Sequence, residues 1–308
     1  EAQEAARKAR EAGDDTRAEA VQQALPQLGF ARERLDNLAG AWDALRRPDP
    51  DDAPPLARWI EAVDTGNGER DFRVAASPIS AAAQLRESLW DRCAGAIITS
   101  ATLRSLGRWD RLFDSLGLVE GENARGVALP SPFSYGHTTL RVPADLADPT
   151  DPPTHTADLA RRLPEILDAG AGSLVLFTSR RQMDEVYERM PGEWQRRILR
   201  QGEMSRERML ARHREAIEAG EGSILFGLAS FAEGVDLPGA LCTQVVIAKL
   251  PFSVPDSPIQ ATTHAWIESL GRKPFFEISL PDAAFRLTQA VGRLIRTEED
   301  TGTITICD

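Results

Sequence analysis

Three polar side chains near the C-terminal end, Gln289, Arg293 and Arg296, stand at spacings of four and three. On a helix such spacings place all three on one face. They belong to Gln289-Ala290-Val291-Gly292-Arg293-Leu294-Ile295-Arg296, a QxxGRxxR pattern whose Gly292 permits close approach of another backbone. A face of this kind suits a triphosphate. Arginine keeps its charge and grips oxygens two at a time. Delivered to a γ-phosphate, a guanidinium neutralises charge that develops in the transition state. The plain alternative is a solvated helix face that happens to carry two arginines.

Three other segments place polar groups directly after apolar runs. Gly227-Leu228-Ala229-Ser230-Phe231-Ala232-Glu233-Gly234-Val235-Asp236-Leu237-Pro238-Gly239 follows the run 223–227. Its glycines, serine and two carboxylates make a poor core and a good polar site, or else an ordinary strand-to-helix turn. Thr99-Ser100-Ala101-Thr102-Leu103 and Phe177-Thr178-Ser179-Arg180 each put hydroxyls where a helix should begin. Hydroxyls beside the N–H groups of a helix N-terminus hold a phosphate well. Capping of the next helix is the simpler use.

These segments need a scaffold that brings strand ends together. Short apolar runs at 173–177, 223–227, 244–249 and 303–307, with a shorter one at 198–199, alternate with helical patterns. The helices are expected over 156–168, from Ser179 onward, 205–219, 257–270 and 282–296. Alternation of this kind means a parallel sheet covered on both faces. Ligands of such sheets bind at the C-terminal ends of the strands. Ala94 to Thr99 is expected to be one more buried parallel strand.

Upstream, residues 1–12 and about 17–45 read as helix, with a break at Gly13-Asp14-Asp15. Val21, Leu25, Leu28, Leu35 and Leu38 form the stripe of the second run. The passage 47–55, dense in proline and aspartate, is a linker or domain boundary. A strand over Trp59–Val63 and a turn at Thr65-Gly66-Asn67-Gly68 follow, and Ser80 is placed to cap a helix running to Asp91.

The chain of 308 residues is long enough for two domains, and its 42% hydrophobic and 27% charged residues are ordinary for a soluble globular protein. A net charge of -11 argues against coating nucleic acid through overall charge, yet leaves room for a local basic groove. Cys93, Cys242 and Cys307 form no CxxC pair, so neither a disulfide framework nor a zinc or iron–sulfur site is expected within this chain. They read as buried reduced thiols, in keeping with a cytoplasmic location. No apolar run is long enough for a membrane span. The four histidines lie without ligand partners at metal spacing, and the six tryptophans read as core. A first residue other than Met and an end inside a strand lead us to expect truncation at both termini.

The four motifs in this order resemble the second half of a superfamily 2 helicase, and more narrowly the DinG/XPD branch, over about residues 75 to 308. Leu129-Pro130-Ser131-Pro132-Phe133-Ser134-Tyr135 and Leu250-Pro251-Phe252-Ser253-Val254-Pro255-Asp256-Ser257-Pro258 are similar to phrases of that branch. The resemblance implies an α/β fold: a RecA-like parallel sheet flanked by helices, preceded by a partial first RecA-like domain and a helical segment. It divides the chain into a helical remnant of an inserted arch-like domain with its linker (1–55), the returning part of the first domain (56–148) and the second domain (149–308). It implies that Arg293 and Arg296, with Gln289, reach the γ-phosphate of ATP. Glu233, Gly234 and Asp236 would line the nucleotide side or link it to DNA. Thr178, Ser179, Arg180, Gln201 and Ser230 would hold the DNA backbone, and Ser100 and Thr102 would couple hydrolysis to domain movement.

The same resemblance implies Mg2+ alongside ATP, and a monomer moving 5′ to 3′ on single-stranded, forked or R-loop DNA in repair or replication, away from membranes. It admits an iron–sulfur cluster in a longer parent but not in this chain. The pattern GxxxxGK[ST] and a DEAH-like tetrad do not occur in the 308 residues, so the chain by itself is expected not to hydrolyse ATP. An RNA-directed motor of the same superfamily, a DNA-binding module without an active ATP site, and a nuclease–helicase fusion remain open alternatives at this point.

Overall fold

The computed structural model describes residues 15–51, 53–100, 102–131, 135–228, 231, 235–253, 255–295 and 300–308, with side chains from residue 24 onward. In chain order, helix α1 spans Asp15–Arg46, strands β1 and β2 span Leu56–Asp64 and Arg70–Pro78, and helices α2 and α3 span Ala82–Ser88 and Asp110–Leu116. Strand β3 (Thr138–Arg141), α4 (Pro152–Ile166), β4 (Gly172–Phe177), α5 (Arg180–Arg189), α6 (Gly192–Gln195) and β5 (Ile198–Arg200) follow. Then come α7 (Arg206–Glu218), β6 (Ser223–Leu228), β7 (Gln244–Ile247) and α8 (Pro258–Ser269). A π-helical turn over Phe275–Ser279, α9 (Leu280–Val291) and β8 (Gly302–Ile306) complete the order. The chain forms two compact units: Glu1–Ala81 with Pro255–Arg272, and Ala82–Val254 with Lys273–Asp308.

The first unit holds α1, an antiparallel hairpin of β1 and β2, and α8. The hairpin turn is the expected Thr65–Gly68 segment. Its Gly66 and Gly68 take φ of 80° and 82°, a region glycine enters without steric cost, and Asp64 Oδ1 accepts from the Gly66 N–H at 2.9 Å. Arg58 fastens the proline-rich linker. Its Nη1 donates to Asp49 Oδ1 at 2.8 Å, and its Nε to the Ala44 carbonyl near the end of α1 at 3.0 Å. That guanidinium also holds the Asp49 carboxyl below the usual carboxylate range. Strand β2 was not foreseen. Arg70-Asp71-Phe72-Arg73 lacks a clear period, and Val74-Ala75-Ala76 is weak as a strand on propensity alone, so pairing with β1 decides its conformation.

The second unit is built on a parallel sheet in the order β3-β8-β7-β4-β6-β5. β4 is buried at every residue, as its unbroken apolar run requires. Alternation divides its side chains between two cores. Val175 and Phe177 pack with Leu159 and Leu163 of α4 and Met183 and Val186 of α5. Leu174 and Leu176 pack on the other face with Met209 of α7, Ala290 of α9 and Leu294. Helices therefore cover both faces, and the parallel α/β architecture expected from the sequence is present.

Three expectations fail. Ala94–Thr99 forms no strand; Ile97 is 94% exposed. A parallel strand needs neighbours to satisfy its backbone, and the sheet of this unit is completed by other segments. The helix expected over 282–296 ends at Val291, after which Gly292 to Leu294 turn, with Arg293 N bonded to the Ala290 carbonyl. The tryptophans are not core: Trp42 is 66% exposed, and the other five are only half-buried. Strand β3 was also missed; at four residues its pattern is too short to read.

Candidate functional site

Every strand of the six-stranded sheet runs the same way, so the segments following them share one edge. Thr178 and Ser179 follow β4, Gln201 follows β5, the glycine-rich loop follows β6, and Lys249 follows β7. Adjacent strands lie ~4.8 Å apart, so these segments are near neighbours.

After β4, Thr178, Ser179 and Arg180 are exposed. Ser179 has extended backbone angles, and its Oγ accepts from the Gln182 N–H at 3.2 Å, so it caps α5. A hydroxyl that accepts in this way still has its own proton to donate. The first turn of α5 is held from behind. Gln182 Nε2 donates to His155 Nδ1 at 3.1 Å, and His155 Nε2 donates to the Cys307 carbonyl at 2.7 Å. With Nδ1 accepting and Nε2 donating, these two bonds fix the orientation of the His155 ring. Burial pushes the neighbouring Cys307 thiol up to about 12, which leaves it inert.

Gln201 joins three segments. Its Oε1 accepts from the Leu228 N–H at 2.8 Å, its N–H donates to the Phe226 carbonyl at 2.9 Å, and its carbonyl accepts from Arg180 Nη1 at 3.5 Å. The Arg180 guanidinium lies against Gly202, where φ is +102°. Gln201 thus fixes the start of the loop after β6 and brings Arg180 to it.

That loop is anchored by apolar residues. Phe231, Val235 and Leu237 are buried, while Asp236 between the last two is exposed. The Phe231 ring lies so close to β6 that a Cβ on Gly227 would stand 2.7 Å from Phe231 Cδ1. The Arg206 guanidinium lies over the same ring, 5.6 Å from its centroid. At the far end of α9, Arg293 Nη1 donates to the Val235 carbonyl at 3.0 Å. The structure therefore brings Arg293 and the loop bearing Asp236 together, with Gln289 half-buried one turn earlier. Because α9 stops at Val291, Arg293 reaches the loop from a turn rather than from the helical face expected. Ser230, Glu233, Gly234 and Arg296 lie outside the described residues.

Ser100 and Thr102 do not follow a strand. Ser100 Oγ accepts from the Thr102 N–H at 3.3 Å in a local turn. Their segment nevertheless reaches α9. Ser105 Oγ donates to the Pro281 carbonyl at 2.6 Å, and Arg111 pairs with Asp282 at 2.6 Å. Sequence reasoning missed Arg111, Arg206 and Gln182, because bonds to distant carbonyls and rings leave no local pattern. Among the described residues, no three His, Cys, Asp or Glu side chains cluster as a metal site, and no helix is long and apolar enough to cross a membrane.

Residues 164–308 match the model of the helicase C-terminal domain family. The chain is 40% identical over 293 residues to the ATP-dependent DNA helicase DinG of Photobacterium profundum, covering 93% of this chain and 42% of that protein. It is 42% identical over 259 residues to the protein of the same name in Salmonella typhimurium, covering 82% and 36%. The chain thus spans about two fifths of the length of these relatives. Among solved structures it is similar to an XPD helicase, with 22% identity and a TM-score of 0.44 over 55% of this chain and 31% of that one.

Proposed function

Taking the chain as DinG/XPD-like, with a helicase C-terminal domain over residues 164–308, we propose that it is part of an ATP-driven motor moving 5′ to 3′ on single-stranded DNA. Forked or R-loop DNA met during repair or replication is the substrate, and the motor acts as a cytoplasmic monomer. The observation that carries the reading is the Arg293–Val235 bond at 3.0 Å, which fastens the arginine motif to the glycine-rich loop at the strand ends. A guanidinium has five N–H donors, so a bond to a carbonyl and a bond to a phosphate oxygen are compatible.

In this reading Arg293, with Arg296 and Gln289, neutralises charge on the γ-phosphate as it transfers. Glu233, Gly234 and the exposed Asp236 line the nucleotide side. ATP with Mg2+ supplies the phosphoryl transfer that drives movement, and its metal ligands are assigned to none of the described residues. Thr178, Ser179, Arg180, Gln201 and Ser230 hold the DNA backbone through hydroxyl, N–H, amide and guanidinium donors. Ser100 and Thr102 couple the two events. Ser105 and Arg111 tie their segment to one end of α9, and the other end carries Gln289 and leads into Arg293. The helix spans ~18 Å, so a shift at one end is carried to the other.

The test is ATP hydrolysis by the full-length protein with and without single-stranded DNA, beside Arg293→Ala. DNA should raise the rate, and the variant should lose it by roughly 10³-fold or more. Absence of stimulation, or a variant equal to wild type, sinks the reading. RNA competing as well as DNA at matched salt would move the polymer assignment to RNA.

A further inference from the structure

Three phenylalanines lie together at the surface of the sheet unit: Phe252 is 39% exposed, Phe275 50% and Phe276 59%. Phe252 and Phe275 stack, with centroids 5.6 Å apart and planes 26° apart. Phe276 meets Phe275 edge-on at 5.2 Å and 84°. Phenylalanine is usually buried, so three touching rings left in water call for an explanation.

Both segments that present the rings are fixed. Phe252 lies in the segment that follows β7, just after Lys249 and Leu250. The Leu250 N–H donates to Asp308 Oδ2 at 2.8 Å, and the Pro251 carbonyl accepts from Arg286 Nη1 at 3.4 Å. Phe275 and Phe276 open the π-helical turn, whose Ile278 carbonyl accepts from Arg111 Nη1 at 2.9 Å. The rings therefore stand on held backbone and lose little freedom when something stacks on them.

We propose that Phe252, Phe275 and Phe276 form a base-stacking platform for single-stranded nucleic acid. The proposal rests on the motor reading above. Three features favour this occupant over a protein. The exposed surface is aromatic, and every base offers a face for stacking whatever its sequence. Cations stand next to the ring-bearing segments: Arg286 donates to the carbonyl of Pro251, the residue before Phe252, and Lys273, two residues before Phe275, is exposed. Rings with neighbouring cations match bases joined by phosphates. The platform also begins at the C-terminal end of β7, beside β4, whose own end carries Thr178 and Ser179.

The experiment measures binding of the full-length protein to a labelled oligothymidylate of about 20 nucleotides, longer than one typical binding site, and to an abasic strand of equal length. Phe252→Ala and Phe275→Ala should each weaken thymidylate binding about five-fold or more and leave abasic binding unchanged. Phe275→Trp should retain binding, which separates loss of a stacking face from loss of folding. Equal loss on both strands, or no loss on either, overturns the platform. So does a self-association of the wild type, seen by sedimentation, that the alanine variants abolish. If the wild type binds neither strand, the motor reading falls with it; if it binds and the variants match it, the platform alone falls.

Discussion

His213 lies in the core with both ring nitrogens engaged: Nδ1 accepts from Ser223 Oγ at 2.9 Å, and Nε2 donates to the Leu241 carbonyl at 2.7 Å. Burial, outweighing the carbonyl bond, lowers its affinity for a proton below the ordinary value of 6.5. The unfolded chain therefore binds this proton more readily than the folded one. The stability contribution is whole above pH 6.5 and is lost as pH falls from there toward the folded value. Urea unfolding at pH 7.5 and about pH 5.5 should show a decline of at most ~1.4 kcal/mol per pH unit from this group. The carboxylates held low by hydrogen bonds, such as Asp158, titrate well below that window. His213→Gln keeps a donor and an acceptor but takes up no proton, so its slope should be shallower; equal slopes would reject the assignment.

Strand β6 and the loop after it depend on one missing side chain. Gly227 leaves the space that the Phe231 ring fills, and the clash of an added Cβ would involve the ring root as well as its edge. Gly227→Ala should cost about 1–3 kcal/mol in denaturant unfolding through overpacking. Phe231→Leu in the same chain should recover part of the loss. An unchanged midpoint for the single variant would show that the loop moves aside without cost. The sequence already indicated β4, β6 and β7 through their unbroken apolar runs, and α5 and α7 through capping serines at Ser179 and Ser205. It misread 94–99 because an apolar run signals burial without saying whether neighbouring strands are there to receive it. It carried the last helix past Val291 because Gln289, Arg293 and Arg296 fit helical spacing, whereas the bond to Val235 that draws Arg293 away is distant in sequence. At the site, the loops were legible as polar groups at strand ends; their fastenings through Gln201, Arg206 and Gln182 were not.

For the molecule as a whole, the nucleotide chemistry assigned to these residues is one-sided. Arginines and a carboxylate loop are present, but no GxxxxGK[ST] segment occurs to cradle phosphates through backbone N–H groups. The 308-residue chain by itself should hydrolyse ATP no faster than buffer, with or without DNA, when phosphate release is followed. A rate above that control would require a phosphate cradle of another kind within these residues.

The position of β8 bears on how the sheet comes into being. Gly302–Ile306 comes later in sequence than the other described strands of its sheet, yet it lies between β3 and β7 rather than at an edge. During synthesis β4, β5, β6 and β7 can pair as they emerge, but β3 must wait for a partner made long after it. Contacts so far apart in sequence are slow to form. Completion of the sheet is thus deferred until the end of β8 leaves the ribosome, and until then one side of β7 is an open strand edge that invites wrong pairing.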